Sequence, residues 1–230
     1  MKTYKINHKN RGAHNFIIYS KIDKFLKENY SLLKGKVFDL GCGEQEYKSF
    51  LLEYCDEYIG VDWGNSYHET KADLIADLNI KLPILDNTAD TLFSISVLEH
   101  LKEPQLFLNE TFRILKPNGI FLLQIPFQWR VHEHPFDYQR YTNFGLFSIF
   151  SKAGYVDVSL YATNGIFTTI SLKINYFLLK LVRGSKFSKS IIKIFLTPIW
   201  LFNLYISSLL DNLDKNWNDE TQGYWVVAKK

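Results

Sequence analysis

The residues with chemical potential stand at the ends of apolar runs and in one loop. Val37-Phe-Asp-Leu-Gly-Cys-Gly43 is an apolar stretch that breaks into a glycine turn, and Tyr58-Ile-Gly-Val-Asp62 ends on a carboxylate 19 residues beyond Gly43. Glycines in such a turn remove the Cβ that would hold a ligand away from the backbone. An acid at that distance can accept hydrogen bonds from ribose hydroxyls. Glu99 and His100 follow a third apolar run, Leu92–Val97, and the stretch Pro126–Thr142 carries His132, Glu133, His134, Asp137, Arg140 and Tyr141. Imidazoles and carboxylates of this kind can move protons in general acid–base chemistry. His-x-His followed by Asp137 can also converge on zinc or iron, and the same set serves equally well to hydrogen-bond a polyhydroxylated acceptor. The expectation is a site without a metal.

The turn excludes two common nucleotide sites. A dinucleotide fingerprint wants G-x-G-x-x-G, and counting from Gly41 the third glycine position is Glu46, a carboxylate where a pyrophosphate should rest. No Lys-Ser or Lys-Thr follows the turn, so a Walker-type phosphate loop fails as well.

Positioning these groups requires a parallel sheet. Short β-branched runs alternate with amphipathic stretches, which predicts strands near 36–41, 57–62, 72–76, 91–97, 118–126 and 154–161, with a closing strand at 222–229. Helices are expected near 14–33, 45–54, 104–114 and 143–152, the last capped by Thr142, and LKPNG at 115–119 reads as a turn into a strand. The loop 126–142 is long for a connection without structure of its own, and loops beyond about 12–15 residues are usually functional.

Four stretches in order, VFDLGCGEQEY, YIGVDW, ADLNIKLPILDNTADTLFSISVLEHL and ILKPNGIFLLQIP, resemble the class I S-adenosylmethionine-dependent methyltransferases, in particular the methyltransferase type 11 group. The resemblance implies an α/β, Rossmann-like fold: a seven-stranded, mostly parallel sheet with helices on both faces and an inserted helical hairpin before the last strand. It implies S-adenosyl-L-methionine as cofactor, with Asp39, Gly41, Cys42 and Gly43 under the methionine part. Asp62 would take the ribose, Trp63 the adenine face, and Asp77 and Leu78 the adenine edge. Val97 and Glu99 would lie near the methionine end. His100 is the first choice for a base. The EHP-x-DY-x-RYT pattern resembles a stretch that closes over the site in this group, which adds His134 and Asp137 as catalytic candidates and His132, Arg140 and Tyr141 to the acceptor pocket. Arg140 would be either an orienting ion-pair partner or an anchor for an anion. Gln45 departs from the group's pattern, standing where a third glycine is common.

The 230 residues carry 27 Lys+Arg and 24 Asp+Glu, a net charge of +3 that argues against a nucleic-acid partner. The charge is unevenly placed. From Gly165 to Leu210 there are six basic residues and no acidic one, so this segment carries +6 and the remainder −3. It reads as two helices, 165–183 and 190–210, with Ile194–Leu210 uncharged and Pro198 expected to interrupt the second. A lid, a dimer interface and an amphipathic pair on an anionic membrane are the competing readings, and the cations favour the membrane. Two cysteines and an N-terminus without an apolar signal predict a cytoplasmic chain, peripheral at the inner membrane face. The expected organisation is one domain over 1–230, with an N-terminal helical extension (1–34), a cofactor-binding core (35–162), the insertion (165–210) and the closing strand. The expected function is O-methylation of a sugar, lipid-linked glycan or other small hydroxylated acceptor; the alternative is a membrane-associated scaffold with a vestigial donor pocket.

Overall fold

The computed structural model describes residues 6–64, 71–213 and 219–230. The first five residues of the expected N-terminal extension lie outside them. Seven strands form one sheet: β1 (Lys36–Leu40), β2 (Glu57–Asp62), β3 (Leu74–Ile75), β4 (Ala89–Ile95), β5 (Leu115–Pro126), β6 (Asp157–Ala162) and β7 (Gly223–Lys229). Their spatial order is β3-β2-β1-β4-β5-β7-β6. The pairs β1–β2, β1–β4, β2–β3 and β4–β5 are parallel. β7 runs the other way: the Lys230 N–H after its last residue donates to the Gly119 carbonyl at 3.1 Å, and the Asn118 N–H donates back at 3.0 Å, near the start of β5. Strand order reverses between β1 and β4, so the crevice beyond their C-terminal ends is the ligand position of this topology. Val37, Leu40, Leu92, Phe93, Phe121 and Leu122 are fully buried, which is why these strands read as unbroken apolar runs.

The helices are α1 (Phe16–Glu28), α2 (Lys48–Leu51), α3 (Pro104–Ile114), α4 (Asn143–Ala153), α5 (Ile166–Leu179) and α6 (Lys186–Leu210). Thr142 caps α4 as expected, its hydroxyl accepting the Gly145 N–H at 3.1 Å. Three expectations need correction. The helix expected at 45–54 shrinks to α2, because Gln45 sits at φ 60° and a helix can start only after it. The LKPNG turn is part of β5: Ala89 pairs with Leu115 and Thr91 with Ile120, so residues 116–119 bulge from the ladder, with Asn118 at φ 65°. Pro198 does not end the second hairpin helix, and α6 runs continuously through it. Proline removes one helical donor, and Ile194, whose carbonyl loses its partner, is 69% exposed, where water can substitute. α6 also begins earlier than expected, because the Ser185 hydroxyl accepts the Ser188 N–H at 3.2 Å as an N-cap.

Among the described residues two compact units emerge, one of 6–7, 27–161 and 224–230 and the other of 8–26 with 162–223. In the second, the N-terminal segment joins the hairpin. Asn15 Nδ2 donates to the Tyr176 hydroxyl at 3.0 Å, and Asn175 Nδ2 donates to the carbonyls of His14 and Trp200, each at 3.2 Å. The Asp211 carboxylate accepts N–H groups from Gly165 at 2.9 Å and Thr168 at 3.1 Å, fastening the first turn of α5 to the end of α6. α5 and α6 turn Thr168, Leu172, Asn175, Leu196, Trp200 and Leu204 inward. Their opposite faces are exposed and apolar, with Phe177 at 64%, Phe195 at 71%, Phe202 at 65% and Tyr205 at 70% exposure. Among the described residues, Lys186–Leu213 is the one helical stretch long and apolar enough to cross a membrane.

Candidate active site

The glycine turn follows directly from β1. Gly41 N–H and Cys42 N–H both donate to the Val61 carbonyl of β2, at 2.8 and 3.1 Å, and Gly41 and Gly43 take left-handed φ values of 83° and 49°. Gln45 itself takes a left-handed conformation, at φ 60°. Its Nε2 donates to the Lys71 carbonyl at 2.7 Å and to Asp73 Oδ2 at 3.0 Å, so the side chain fixes a backbone that costs roughly 1–2 kcal/mol without glycine.

A cavity of 390 Å³ opens beside this turn. Gly41, Gly43, Asp62, Trp63, Asp77, Leu78, Val97 and His100 are among the residues that line it. The Asp62 carboxylate is held by two backbone donors, Gly43 N–H to Oδ2 and Trp63 N–H to Oδ1, both at 2.6 Å. Its remaining lone pairs are available to hydroxyls. Asp77 is set by Asn79, whose backbone N–H and side-chain amide donate to Oδ1 at 2.8 and 2.9 Å. A Cβ built on Gly43 would meet nothing within 4 Å, so the space above that backbone can admit a ligand. The site thus fits a cationic nucleoside donor on three counts: an open glycine backbone, an oriented acid and a second acid farther along.

Three expected cofactor residues stand behind the wall. Cys42 is buried, and burial raises its thiol pKa well above the ordinary value. Glu99 is fully buried next to His100. Asp39 lies under the turn, where the Tyr58 hydroxyl donates to Oδ2 at 2.8 Å and burial pushes the acid up to about 7. The folded chain therefore holds this proton more tightly than the unfolded chain. Stability is highest while Asp39 is protonated and falls as pH rises from about 4 to 7. Asp39→Asn is expected to raise the unfolding temperature of the unliganded chain at pH 8 by several degrees, at roughly 2–4 °C per kcal/mol. The gain should shrink at pH 5. Melts showing the same difference at both pH values would refute the linkage.

The loop after β5 is pinned to the short 3₁₀ turn Leu98–His100. Tyr138 and Gln139 N–H groups both donate to the Glu99 carbonyl, at 2.8 and 3.1 Å. This brings Glu133, Phe136 and Tyr138 onto the cavity wall, where Phe136 meets the Trp63 ring edge-on at 5.7 Å. Sequence reasoning treated the loop as acceptor pocket and missed Phe136 and Tyr138. It also missed Asn79, Ser96, Leu101 and Lys102 on the same wall. The Asp77-Leu-Asn79 spacing is an Asx-turn pattern that could have flagged Asn79.

The loop residues separate by role. Asp137 accepts from Arg140 at 2.6 and 2.7 Å, from the His132 N–H at 2.8 Å and from His132 Nδ1 at 3.1 Å. Burial opposes its ionisation, but Arg140 and His132 overcome that and hold it well below the usual carboxylate range. Arg140 also donates to the Gln139 and Arg130 carbonyls, which makes it the ion-pair partner and not an anion anchor. Burial and the neighbouring His100 lower the His132 pKa, so that ring is neutral near pH 7. Two expectations are corrected. His134 is exposed and stands outside the cluster, and Tyr141 packs near Gly145 at the start of α4 and not on the cavity wall. What gathers beside the cavity is Glu99, His100 and His132, whose ligand atoms lie within 4.8 Å of one another.

The chain is similar to known proteins in sequence and in fold. A family model described as "Methyltransferase domain" matches residues 38–123. A Mycolicibacterium smegmatis protein described as a probable S-adenosylmethionine-dependent methyltransferase is 28% identical over 96 residues, 39% of this chain and 37% of that protein. The chain therefore spans well under half the length of that curated relative. A SAM-dependent methyltransferase from Archaeoglobus fulgidus superposes with a TM-score of 0.56 at 16% identity, covering 93% of this chain and 94% of that one. Phosphoethanolamine N-methyltransferase 2 of Haemonchus contortus, solved with S-adenosyl-L-methionine, gives 0.56 at 15% identity over 95% of this chain and 56% of its own. At these identities the structures speak for the fold. The chain thus carries a stretch, 38–123, that matches a methyltransferase-domain model, within a fold similar to that of S-adenosylmethionine-dependent methyltransferases.

Proposed function

We propose that the chain transfers the methyl group of S-adenosyl-L-methionine to an oxygen of a small hydroxylated acceptor, a sugar or a lipid-linked glycan. The observation that carries this reading is the juxtaposition of the donor cavity with the Glu99–His100–His132 cluster, His100 being the member on the cavity wall. A neutral amine attacks without losing a proton first, whereas a hydroxyl gains from a nearby group that takes its proton, by roughly 10²–10⁴-fold. Gly41 and Gly43 admit the methionine part, Asp62 accepts from the ribose, and Trp63, Asp77 and Leu78 border the adenine. When bound, the donor supplies an electrophilic methyl on a sulfonium. The chain's part is to hold the acceptor oxygen in line with it, and such positioning can supply about 7–11 kcal/mol in favourable cases. Phe136 and Tyr138 border the same space and exclude water.

The reading is tested by heating the chain with S-adenosylhomocysteine at about 100 times its dissociation constant, where a bound ligand adds about 2.7 kcal/mol. Donor labelled in the methyl group is then incubated with separated lipid, glycan, protein and nucleic-acid fractions. Label in the glycan or lipid fraction supports the acceptor class, and label in protein or nucleic acid overturns it. A chain with no shift and no transfer is the scaffold with a vestigial pocket.

The exposed hairpin supports a second part of the reading, attachment of a cytoplasmic chain to the inner, anionic face of a membrane. α5 and α6 present apolar faces next to Lys173, Lys180, Lys186, Lys189 and Lys193, and the segment has no acidic residue. Crossing fits less well. α6, with 25 residues, reaches about 38 Å, but α5, with 14, reaches only about 21 Å against a hydrocarbon core of about 30 Å. Because β6 and β7 are neighbours in one sheet, a crossing by α6 would need a return by α5. An in-plane position asks for neither.

A further inference from the structure

We propose that Glu99, His100 and His132 form a binding site for one divalent first-row transition ion, of the zinc, iron or manganese type, beside the donor cavity. The argument begins with proton positions. His100 Nδ1 lies 2.5 Å from the Phe136 carbonyl, which can only accept, so the ring proton is on Nδ1 and Nε2 presents its lone pair. His132 Nδ1 lies 3.1 Å from Asp137 Oδ2, an acceptor fixed by the Arg140 ion pair, so His132 also carries its proton on Nδ1. Both free nitrogens face the same carboxylate oxygen: Glu99 Oε1 is 3.6 Å from His100 Nε2 and 4.0 Å from His132 Nε2. Glu99 is fully buried, and neither of its carboxylate oxygens has a hydrogen-bond partner.

Two imidazole lone pairs and one buried carboxyl group without a hydrogen-bond partner therefore converge. A buried carboxylate in that position is costly unless it meets a cation. The surroundings match what metal-ligating histidines use: the far nitrogen of each ring donates to a carbonyl or a carboxylate, which fixes its tautomer and orientation. Two imidazoles and one carboxylate suit zinc, iron or manganese and disfavour magnesium and calcium, which prefer all-oxygen sets. The arrangement also leaves positions open for an outside oxygen.

This deepens the methyl-transfer reading, and the role of the ion rests on that reading. The acceptor hydroxyl would approach the ion, which lowers its pKa; its proton would pass to the carboxylate of Glu133, which lines the cavity 3.8 Å from His100 Nε2. The alkoxide oxygen then forms the new O–CH₃ bond as the donor's S–CH₃ bond breaks, leaving S-adenosylhomocysteine. Metal binding itself does not depend on the acceptor.

The test uses the full chain freed of metal by a chelator and titrated with Co²⁺, followed by visible absorption. One equivalent should bind saturably, be displaced by Zn²⁺ and resist millimolar Mg²⁺. His132→Ala and Glu99→Gln should each weaken binding at least about 100-fold, and His134→Ala, outside the cluster, should not change it. X-ray absorption on the Co²⁺-loaded wild-type chain, which needs no variant, should show two imidazoles. No saturable binding, or binding unaffected by His132→Ala, overturns the site. A preparation that takes up no Co²⁺ but keeps its S-adenosylhomocysteine shift loses the metal and keeps the methyl-transfer reading. Loss of both removes the reading as well.

Discussion

Gly41→Ala is expected to abolish donor binding and to destabilise the sheet-bearing unit, whereas Gly43→Ala, two residues on, should leave the unit near its native stability and still lose most donor affinity. The difference lies in what each new methyl meets. At Gly41 the Cβ would stand 2.2 Å from Val97 Cγ2 on a backbone at φ 83°, so the turn must move off the strand that orients it. Overpacking of this kind costs about 1–3 kcal/mol and the left-handed backbone about another 1–2. Together these lower the melting temperature by roughly 5–15 °C in a chain of this size. At Gly43 the Cβ meets nothing within 4 Å, so only the backbone term at φ 49° applies. The methyl then occupies the open space above this backbone, where the proposed site takes the donor's methionine part. Paired melts with and without S-adenosylhomocysteine separate the two effects. A Gly43→Ala chain that keeps its full ligand-induced shift would place the donor somewhere other than above this turn.

The second large effect belongs to α6. Replacing Phe195, Phe202 and Tyr205 together by serine should remove most association with anionic vesicles while leaving the fold intact, because all three are about 65–71% exposed and pack little. Complete transfer of such a side chain from water is worth about 1.5–3 kcal/mol. Even half of that, summed over three residues, amounts to about 2–4 kcal/mol, a loss of at least tenfold in partition. Replacing Lys186, Lys189 and Lys193 by glutamine should also weaken binding, by about 1 kcal/mol per charge near the surface at low salt, and the difference should fade as salt is raised. Vesicle sedimentation reads both. If the serine variant and the wild-type chain sediment equally, the apolar face does not touch lipid.

How far the sequence reveals this molecule depends on how local the determinants are. β1, β2, β5 and α3 lie close to where periodicity puts them, because burial on both faces or on one stripe writes itself into each strand and helix separately. The same holds for the cavity beside the glycine turn. Its glycines and Asp62 sit at strand ends, and a strand end can be read from the residues beside it. The loop is different. His132 meets Glu99 and His100 only because Tyr138 and Gln139 hydrogen-bond to the Glu99 carbonyl, a pairing across about forty residues that no local pattern encodes. Proximity in sequence grouped His132 with His134, whereas the fold groups it with Glu99 and His100 and leaves His134 exposed. α2 shows local propensity overruled. Its residues could form a longer helix, but Gln45 must stay left-handed to reach Lys71 and Asp73. Asn15 and Tyr176, likewise, are 161 residues apart and are joined by one hydrogen bond.

The Asp211 carboxylate receives N–H groups from Gly165 and Thr168, and the Thr163 N–H donates to the Gly223 carbonyl at 3.0 Å. The two ends of the hairpin are thus tied to each other at the sheet edge, whatever lies between them. Closing a longer or shorter loop over such a joint changes the chain entropy only slowly, by about 0.6 kcal/mol for each doubling of length. The hairpin is therefore an exchangeable cassette: its length and surface chemistry can change while the register of β6 and β7 stays as it is. The hairpin's surface can thus be retuned without disturbing the strands beside it.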